Sequence, residues 1–67
     1  MTHPTAGSLW KHRKGGTYVV IGVAVGCGGD LELKPVVVYE STGDEPRDLW
    51  VRGLEEFLDG RFTFICN

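Results

Sequence analysis

The sequence has few of the residues that mark a disulfide framework, a metal centre or a membrane span. It contains two cysteines in 67 residues, with no CxxC pair and no zinc-ligand spacing. No apolar run approaches the roughly 20 residues that cross a bilayer. The first eight residues lack the apolar segment of a secretory signal. We therefore expect a small cytoplasmic protein with reduced thiols and no membrane contact.

Charge is low overall and unevenly distributed. The formal net charge is −2, but residues 1–16 carry +3, from Lys11, Arg13 and Lys14, and the rest of the chain carries −5. An acidic balance argues against strong nonspecific binding to duplex nucleic acid, which needs a basic surface. It favours a protein partner, and residues 11–14 still form a local basic edge.

The length of the chain limits its organisation to one domain. A chain of this size buries only about 60% of the surface that its unfolded form exposes, so its stability is marginal. Residues 1–8 have no periodicity and predict a flexible N-terminal tail. We expect a single small β-barrel domain over residues 9–67, too small for a multidomain enzyme that holds a cofactor.

Hydrophobic periodicity predicts a chain made mainly of β-strands. Thr17 to Val25 is rich in β-branched residues and apolar on both faces, which indicates a tightly curled sheet that bends at Gly22. The other segments are strands at 9–12, 36–40, 49–52 and 61–65, a strand extension at 31–33, a polar loop at 41–48 and helical turns at 53–59. This order predicts a small five-stranded SH3-like barrel with one short helical turn before the last strand.

The strand at 49–52 has two unlike faces. Leu49 and Val51 alternate with Trp50 and Arg52. We expect Leu49 and Val51 to face the core, which leaves the Trp50 indole and the Arg52 guanidinium directed toward a groove.

Three blocks of the sequence resemble a family of small bacterial and phage proteins, a domain of unknown function. Residues 12–20 are similar to the family pattern H-x-K-G-x-x-Y-x-V, residues 37–39 to V-V-Y, and residues 49–58 to L-W-V-R-P-L-x-M-F. The chain departs from the pattern at Gly53, where the family has proline, and at Glu56, where it has methionine. The resemblance implies a compact β domain and supplies no activity.

Residues suited to catalysis are present but do not form a recognisable motif. His12 is a candidate general base, Asp30, Glu40 and Asp48 are carboxylates that could orient it, and Cys27 is a candidate nucleophile. A hydrogen-bonded histidine near a turn and an ordinary thiol are the simpler interpretations. His12 and Cys27 together fall short of the three ligands that a metal needs. We expect no enzymatic activity, no cofactor and no metal.

Aromatic and basic residues supply the candidate binding site. Flat rings beside a guanidinium can stack on a base, a proline or another arginine. The predicted site residues are Trp10, Lys11, His12, Arg13, Lys14, Tyr39, Trp50 and Arg52. The preferred hypothesis is a non-catalytic binding module for a protein loop or a nucleotide-type ligand, single-stranded nucleic acid included. The alternative is a structural homo-oligomer that pairs through the valine-rich strands at 19–25 and 36–38.

Overall fold

The chain folds into β-strands with two short helical segments. The computed structural model describes residues 4–43 and 48–67. In chain order these residues form β1 Leu9–His12, β2 Thr17–Val25, a 3-10 helix Gly29–Leu31, β3 Pro35–Ser41, β4 Leu49–Gly53, α1 Leu54–Phe57 and β5 Phe62–Cys66. The five main predicted strands and the helical turn are confirmed. Neither helix in these residues is long and apolar enough to cross a membrane.

One antiparallel sheet contains all five of these strands. Their order is β4-β3-β2-β1-β5, so β4 and β5 are the two edges. Within the described ranges no backbone pairing joins β4 to β5. The mainly β prediction is confirmed, but the closed barrel that the sequence predicts is not observed.

Side chains, instead of backbone hydrogen bonds, connect the two edges of the sheet. Helix α1 follows β4 directly and places Phe57 against the sheet, where it is fully buried. The Phe57 ring stacks on Phe62 of β5, with ring centroids 4.3 Å apart and an interplanar angle of 11°. The guanidinium carbon of Arg52, on β4, lies 5.6 Å from the centroid of the Phe62 ring. In the described residues these side-chain contacts are thus what joins the β4–α1 segment to β5.

The core is mostly aromatic. Its buried residues are Trp10, Val20, Val37, Tyr39, Phe57 and Phe62. Large rings bury more apolar surface per residue than aliphatic side chains do, which suits a chain with few residues to bury. The indole N–H of Trp10 donates to the buried Ser8 hydroxyl at 2.9 Å, so the polar atom of this core residue is satisfied.

The segment before β1 contacts the sheet. The Gly7 N–H donates to the Val20 carbonyl at 2.8 Å, and the Val20 N–H donates to the Ser8 carbonyl at 2.9 Å. Residues 4–8 therefore add backbone hydrogen bonds to β2, although the sequence assigns them to a tail. The flexibility expected of residues 1–8 stays a prediction, and residues 1–3 lie outside the described residues.

A β-bulge in β2 explains how its two apolar faces are accommodated. The register with β3 shifts between Val20 and Gly22, where the sequence predicts the bend. Before the bulge Val20 is buried, and after it Val23 and Val25 are exposed. Only part of this long valine-rich strand therefore belongs to the core.

The strand extension predicted at 31–33 is wrong. The chain forms the 3-10 helix Gly29–Leu31 and then turns at Leu33, whose φ is +57°. The Leu33 N–H donates to the Gly26 carbonyl at 3.0 Å, so this backbone donor is satisfied within the loop and is not available to pair with a strand. The carbonyl of Leu31 packs so closely on Gly26 that a Cβ there would clash with it. This compact loop has no place for an extended segment.

The predicted core face of β4 is also wrong. Leu49 is 64% exposed and Val51 is 55% exposed. Cross-strand pairing places Trp50 opposite Tyr39 and Arg52 opposite Val37, and both of these β3 residues are buried. The Trp50 and Arg52 side of β4 therefore faces the same way as the core. Half of the polar loop predicted at 41–48, residues 44–47, lies outside the described residues, and Ser41 belongs to β3.

We expect the substitution Phe57→Ala to remove most of the stability of the domain. Truncation of a buried phenylalanine costs about 3–5 kcal/mol of the free energy of unfolding, and a domain this small has about 5 kcal/mol or little more in total. Urea denaturation followed by circular dichroism measures the loss. The matched control is Leu49→Ala, an exposed site that we expect to change stability by about 0.5 kcal/mol or less. Equal stability of the two variants would contradict this account of the core.

Candidate functional site

A shallow pocket of about 380 Å³ lies on the aromatic side of the sheet. Its lining residues are His12, Lys14, Gly15, Tyr18, Tyr39, Trp50, Arg52 and Phe62. Every strand contributes at least one of these residues, and the turn between β1 and β2 contributes the remaining two. Because the contributors are far apart in sequence, the pocket depends on the pairing of all five strands.

Five of the eight predicted site residues meet in this pocket. They are His12, Lys14, Tyr39, Trp50 and Arg52. Trp50 is 48% exposed, so its indole is accessible, whereas Tyr39 is 4% exposed and forms part of the wall. The structure therefore brings together the indole, the guanidinium and part of the basic edge.

The other three predicted site residues lie elsewhere. Trp10 is 4% exposed and belongs to the core, because its ring packs edge-on against Phe57 with centroids 5.0 Å apart. Lys11 alternates with Trp10 and His12 along β1 and so faces the opposite side of the sheet. Arg13 is exposed at the turn and donates its backbone N–H to the Arg61 carbonyl. None of the three lines the pocket.

Edge-to-face ring contacts hold the aromatic wall in place. Tyr18 contacts Tyr39 with ring centroids 5.5 Å apart, and Tyr39 contacts Phe62 at 5.4 Å. The His12 ring meets Phe62 edge-on at 4.9 Å. Edge-to-face contacts of this kind are a preferred geometry of aromatic pairs and stabilise this arrangement of the wall.

The Arg52 guanidinium is oriented by three partners. Its Nε–H donates to the Tyr39 hydroxyl at 3.3 Å, and its carbon Cζ lies over the Phe62 ring. Its Nη1 lies 3.6 Å from Oε2 of Glu56, an exposed carboxylate. The hydrogen bond with Tyr39 raises the pKa of Arg52 above its usual value, and burial opposes this shift. Arg52 is thus a fixed positive charge at the edge of the pocket.

His12 is held in its neutral form. The backbone N–H of Lys14 donates to Nδ1 of His12 at 3.0 Å, so the neutral ring carries its proton on Nε2. Loss of hydration and the nearby charges of Arg52, Arg13, Lys14 and Arg61 lower the pKa of His12 below its usual 6.5. At neutral pH the imidazole is therefore an uncharged hydrogen-bond donor in a positive environment.

Sequence reasoning missed Gly15, Tyr18 and Phe62 as pocket residues. Tyr18 shares a face with Val20 in β2, and the register of β2 with β3 places it beside Tyr39. Alternation along β2 predicts which face Tyr18 shares with Val20. It does not predict that Tyr39 lies beside Tyr18, because that contact depends on the register. Phe62 reaches the pocket because β5 pairs with β1, a contact between the two ends of the domain that no local pattern encodes.

The carboxylates considered for catalysis do not gather at His12. Glu40 alternates with Tyr39 in β3 and lies on the opposite face, and Asp30 belongs to the 3-10 helix at a separate depression. Asp48 and Cys27 are exposed and do not line the pocket. In residues 4–43 and 48–67, no three histidine, cysteine, aspartate or glutamate side chains come close enough to hold a metal.

Comparison with known proteins identifies the family of the chain. A family model described as "Protein of unknown function (DUF1653)" matches residues 8–61. The chain belongs to this family. The match contains all three blocks on which the sequence resemblance rests, and every pocket residue except Phe62. Searches of curated proteins and of solved structures gave no match.

We expect the stability of the domain to fall as the pH is lowered through and below 6.5. The folded protein binds a proton at His12 less readily than the unfolded chain does, so stability attributable to this group is present above pH 6.5 and declines until the folded-state pKa is passed. Urea midpoints measured between pH 8 and pH 5, where most carboxylates stay ionised, give this dependence. The variant His12→Gln should show a flatter profile over the same interval. A wild-type profile parallel to that of the variant would contradict the shift.

Proposed function

We propose that this domain is a non-catalytic binding module that takes a protein loop or a nucleotide-type ligand into the aromatic pocket. The observation that carries the proposal is the convergence of an exposed indole and a fixed guanidinium on one concave surface. A half-exposed tryptophan leaves a large apolar surface in water, and such a ring beside a guanidinium is typical of binding surfaces.

The preformed geometry of the pocket supports binding without a change of fold. Tyr39 and Phe62 fix Arg52, and Phe62 also fixes the His12 ring. Side chains that are ordered before binding lose less entropy when a ligand arrives. The order of the strands, with one helical turn before the last, supports an SH3-like interpretation, although the observed sheet is open.

The charges around the pocket favour a ligand with negative groups. Lys14 and Arg52 line it, and among the described lining residues there is no carboxylate. The whole chain is nonetheless acidic, with a net charge of −2. Attraction is therefore local, which suits a protein loop or a small anion better than an extended nucleic-acid duplex.

We expect Trp50→Ala to abolish ligand capture while the fold is preserved. Immobilised domain is exposed to a bacterial lysate, and bound proteins and small molecules are compared by mass spectrometry. The matched control is Leu49→Ala, because Leu49 is the adjacent residue, is also exposed, and lies on the opposite face of β4. Loss of capture in Trp50→Ala but not in Leu49→Ala supports the pocket as the binding surface. Equal capture by the two variants, with circular dichroism spectra unchanged, excludes it as the binding surface.

A second candidate function is a structural homo-oligomer, and the apolar face of an edge strand favours it. Leu49 and Val51 are exposed on β4, which is an edge of the sheet. The valine-rich strands predicted for this role are internal to the sheet; Val36 and Val37 are buried, whereas Val23 and Val25 are exposed. Because an internal strand has no free backbone edge, β4 is the strand that offers both an edge and an exposed apolar face for self-association.

If the domain self-associates in this way, its mass by light scattering should rise from monomer toward dimer as the protein concentration increases. Val51→Lys should keep it monomeric, because a charge on this face opposes apolar pairing. The control is Thr63→Lys on the other edge strand, which should leave the association unchanged. A monomeric mass at every concentration removes this alternative.

A further inference from the structure

Three residues that line the pocket, Arg52, His12 and Lys14, supply nitrogen hydrogen-bond donors. Arg52 uses its Nε–H on Tyr39 and has four more N–H groups at its terminal nitrogens. Neutral His12 accepts a hydrogen bond at Nδ1 and so has its donor at Nε2. Lys14 adds an ammonium group at the rim. Donors of this kind match an oxyanion, whose oxygens accept hydrogen bonds from several directions.

The carboxylates paired with Arg52 and Arg61 do not line the pocket. Glu56 lies 3.6 Å from both Arg52 and Arg61, and Asp59 pairs with Arg61 at 3.2 Å. Two arginines thus share these acids outside the pocket, and exposed ion pairs of this kind are weak and easily exchanged. Loss of hydration is the main cause of the lowered pKa of His12, and the charges of the surrounding arginines and Lys14 lower it further.

The indole and the guanidinium are spaced for a ring and an anion in one small molecule. Trp50 and Arg52 are two residues apart on β4 and share a face, which separates their backbones by about 7 Å. A planar ring stacked on Trp50 would place an attached anionic group near Arg52 if one short linker joined them. A nucleoside monophosphate has this arrangement, with one sugar between the base and the phosphate.

We propose that the pocket binds a nucleoside monophosphate group, with the base stacked on Trp50 and the phosphate held by Arg52, Lys14 and the Nε2–H of His12. This inference rests on the proposed function, because it names the ligand of the same pocket. A volume of about 380 Å³ is at the small end of the range for ligand sites and suits one nucleotide unit. The unit is either a free nucleotide or the 5′ end of a single strand.

The test is a titration of the ¹⁵N-labelled domain, followed by NMR, with adenosine monophosphate, adenosine and inorganic phosphate in separate experiments. We expect the monophosphate to shift the amide signals of the pocket residues and to bind at least about 10-fold more tightly than either fragment, because ring and anion then act together. Adenosine or phosphate binding as tightly as the monophosphate would overturn the proposal.

Variants of single cations separate a specific phosphate site from general attraction. Lys14→Ala should weaken monophosphate binding by about 3-fold or more. Because Lys14 is exposed, we expect this variant to stay folded. The control is Lys34→Ala, an exposed cation that lies at a separate depression and should leave the affinity unchanged. Arg52→Lys keeps the charge but loses the planar fork, and should weaken binding by about 10-fold. Equal losses in the two lysine variants would overturn the proposal.

The source of the nucleotide is decided by two short oligonucleotides that differ only in a 5′ phosphate. Tighter binding of the phosphorylated strand than of the free nucleotide supports a strand terminus, and binding of the free nucleotide alone supports a small-molecule ligand. If none of the phosphorylated ligands binds but capture from lysate still requires Trp50, this inference fails and the proposed function stands. If Trp50→Ala also leaves capture from lysate unchanged, both this inference and the proposed function fail.

Discussion

The stacking of Phe57 on Phe62 is the contact on which the rest of the structure depends. In residues 4–43 and 48–67 the edge strands β4 and β5 do not pair with each other, and a five-stranded sheet of this length cannot bury its aromatic side unless something covers it. Phe57 comes from the short helix that follows one edge strand, and Phe62 comes from the other edge strand. Their contact therefore connects the two edges of the sheet through side chains.

The same aromatic cluster positions the candidate site. Phe62 stacks on Phe57 with one part of its surface and contacts Arg52 and His12 with others. Tyr39 packs on Phe57 and accepts the hydrogen bond from Arg52. Core and pocket share side chains, so the domain needs no separate supporting layer for its binding groups. The consequence is that substitutions in the cluster affect stability and binding together, whereas Trp50 and Lys14 offer changes confined to the pocket.

Much of the local structure could be predicted from the sequence, because β-branched runs and glycine turns act over a few residues. The strands, the helical turn and the bend at Gly22 are examples. The side of β4 that faces the core could not be predicted, since alternation defines two faces without saying which is covered. Leu49 and Val51 are the more aliphatic pair, yet they are exposed because β3 presents Val37 and Tyr39 to the other face.

The sequence by itself determined the family, the mainly β composition and five of the residues that line the pocket. Motifs and periodicity are properties of neighbouring residues and need no knowledge of the fold. Only the tertiary structure decided that the sheet stays open, that Trp10 is buried and that Tyr18 and Phe62 join the pocket. These outcomes depend on strand register and on the pairing of β5 with β1, which are contacts between residues far apart in the chain.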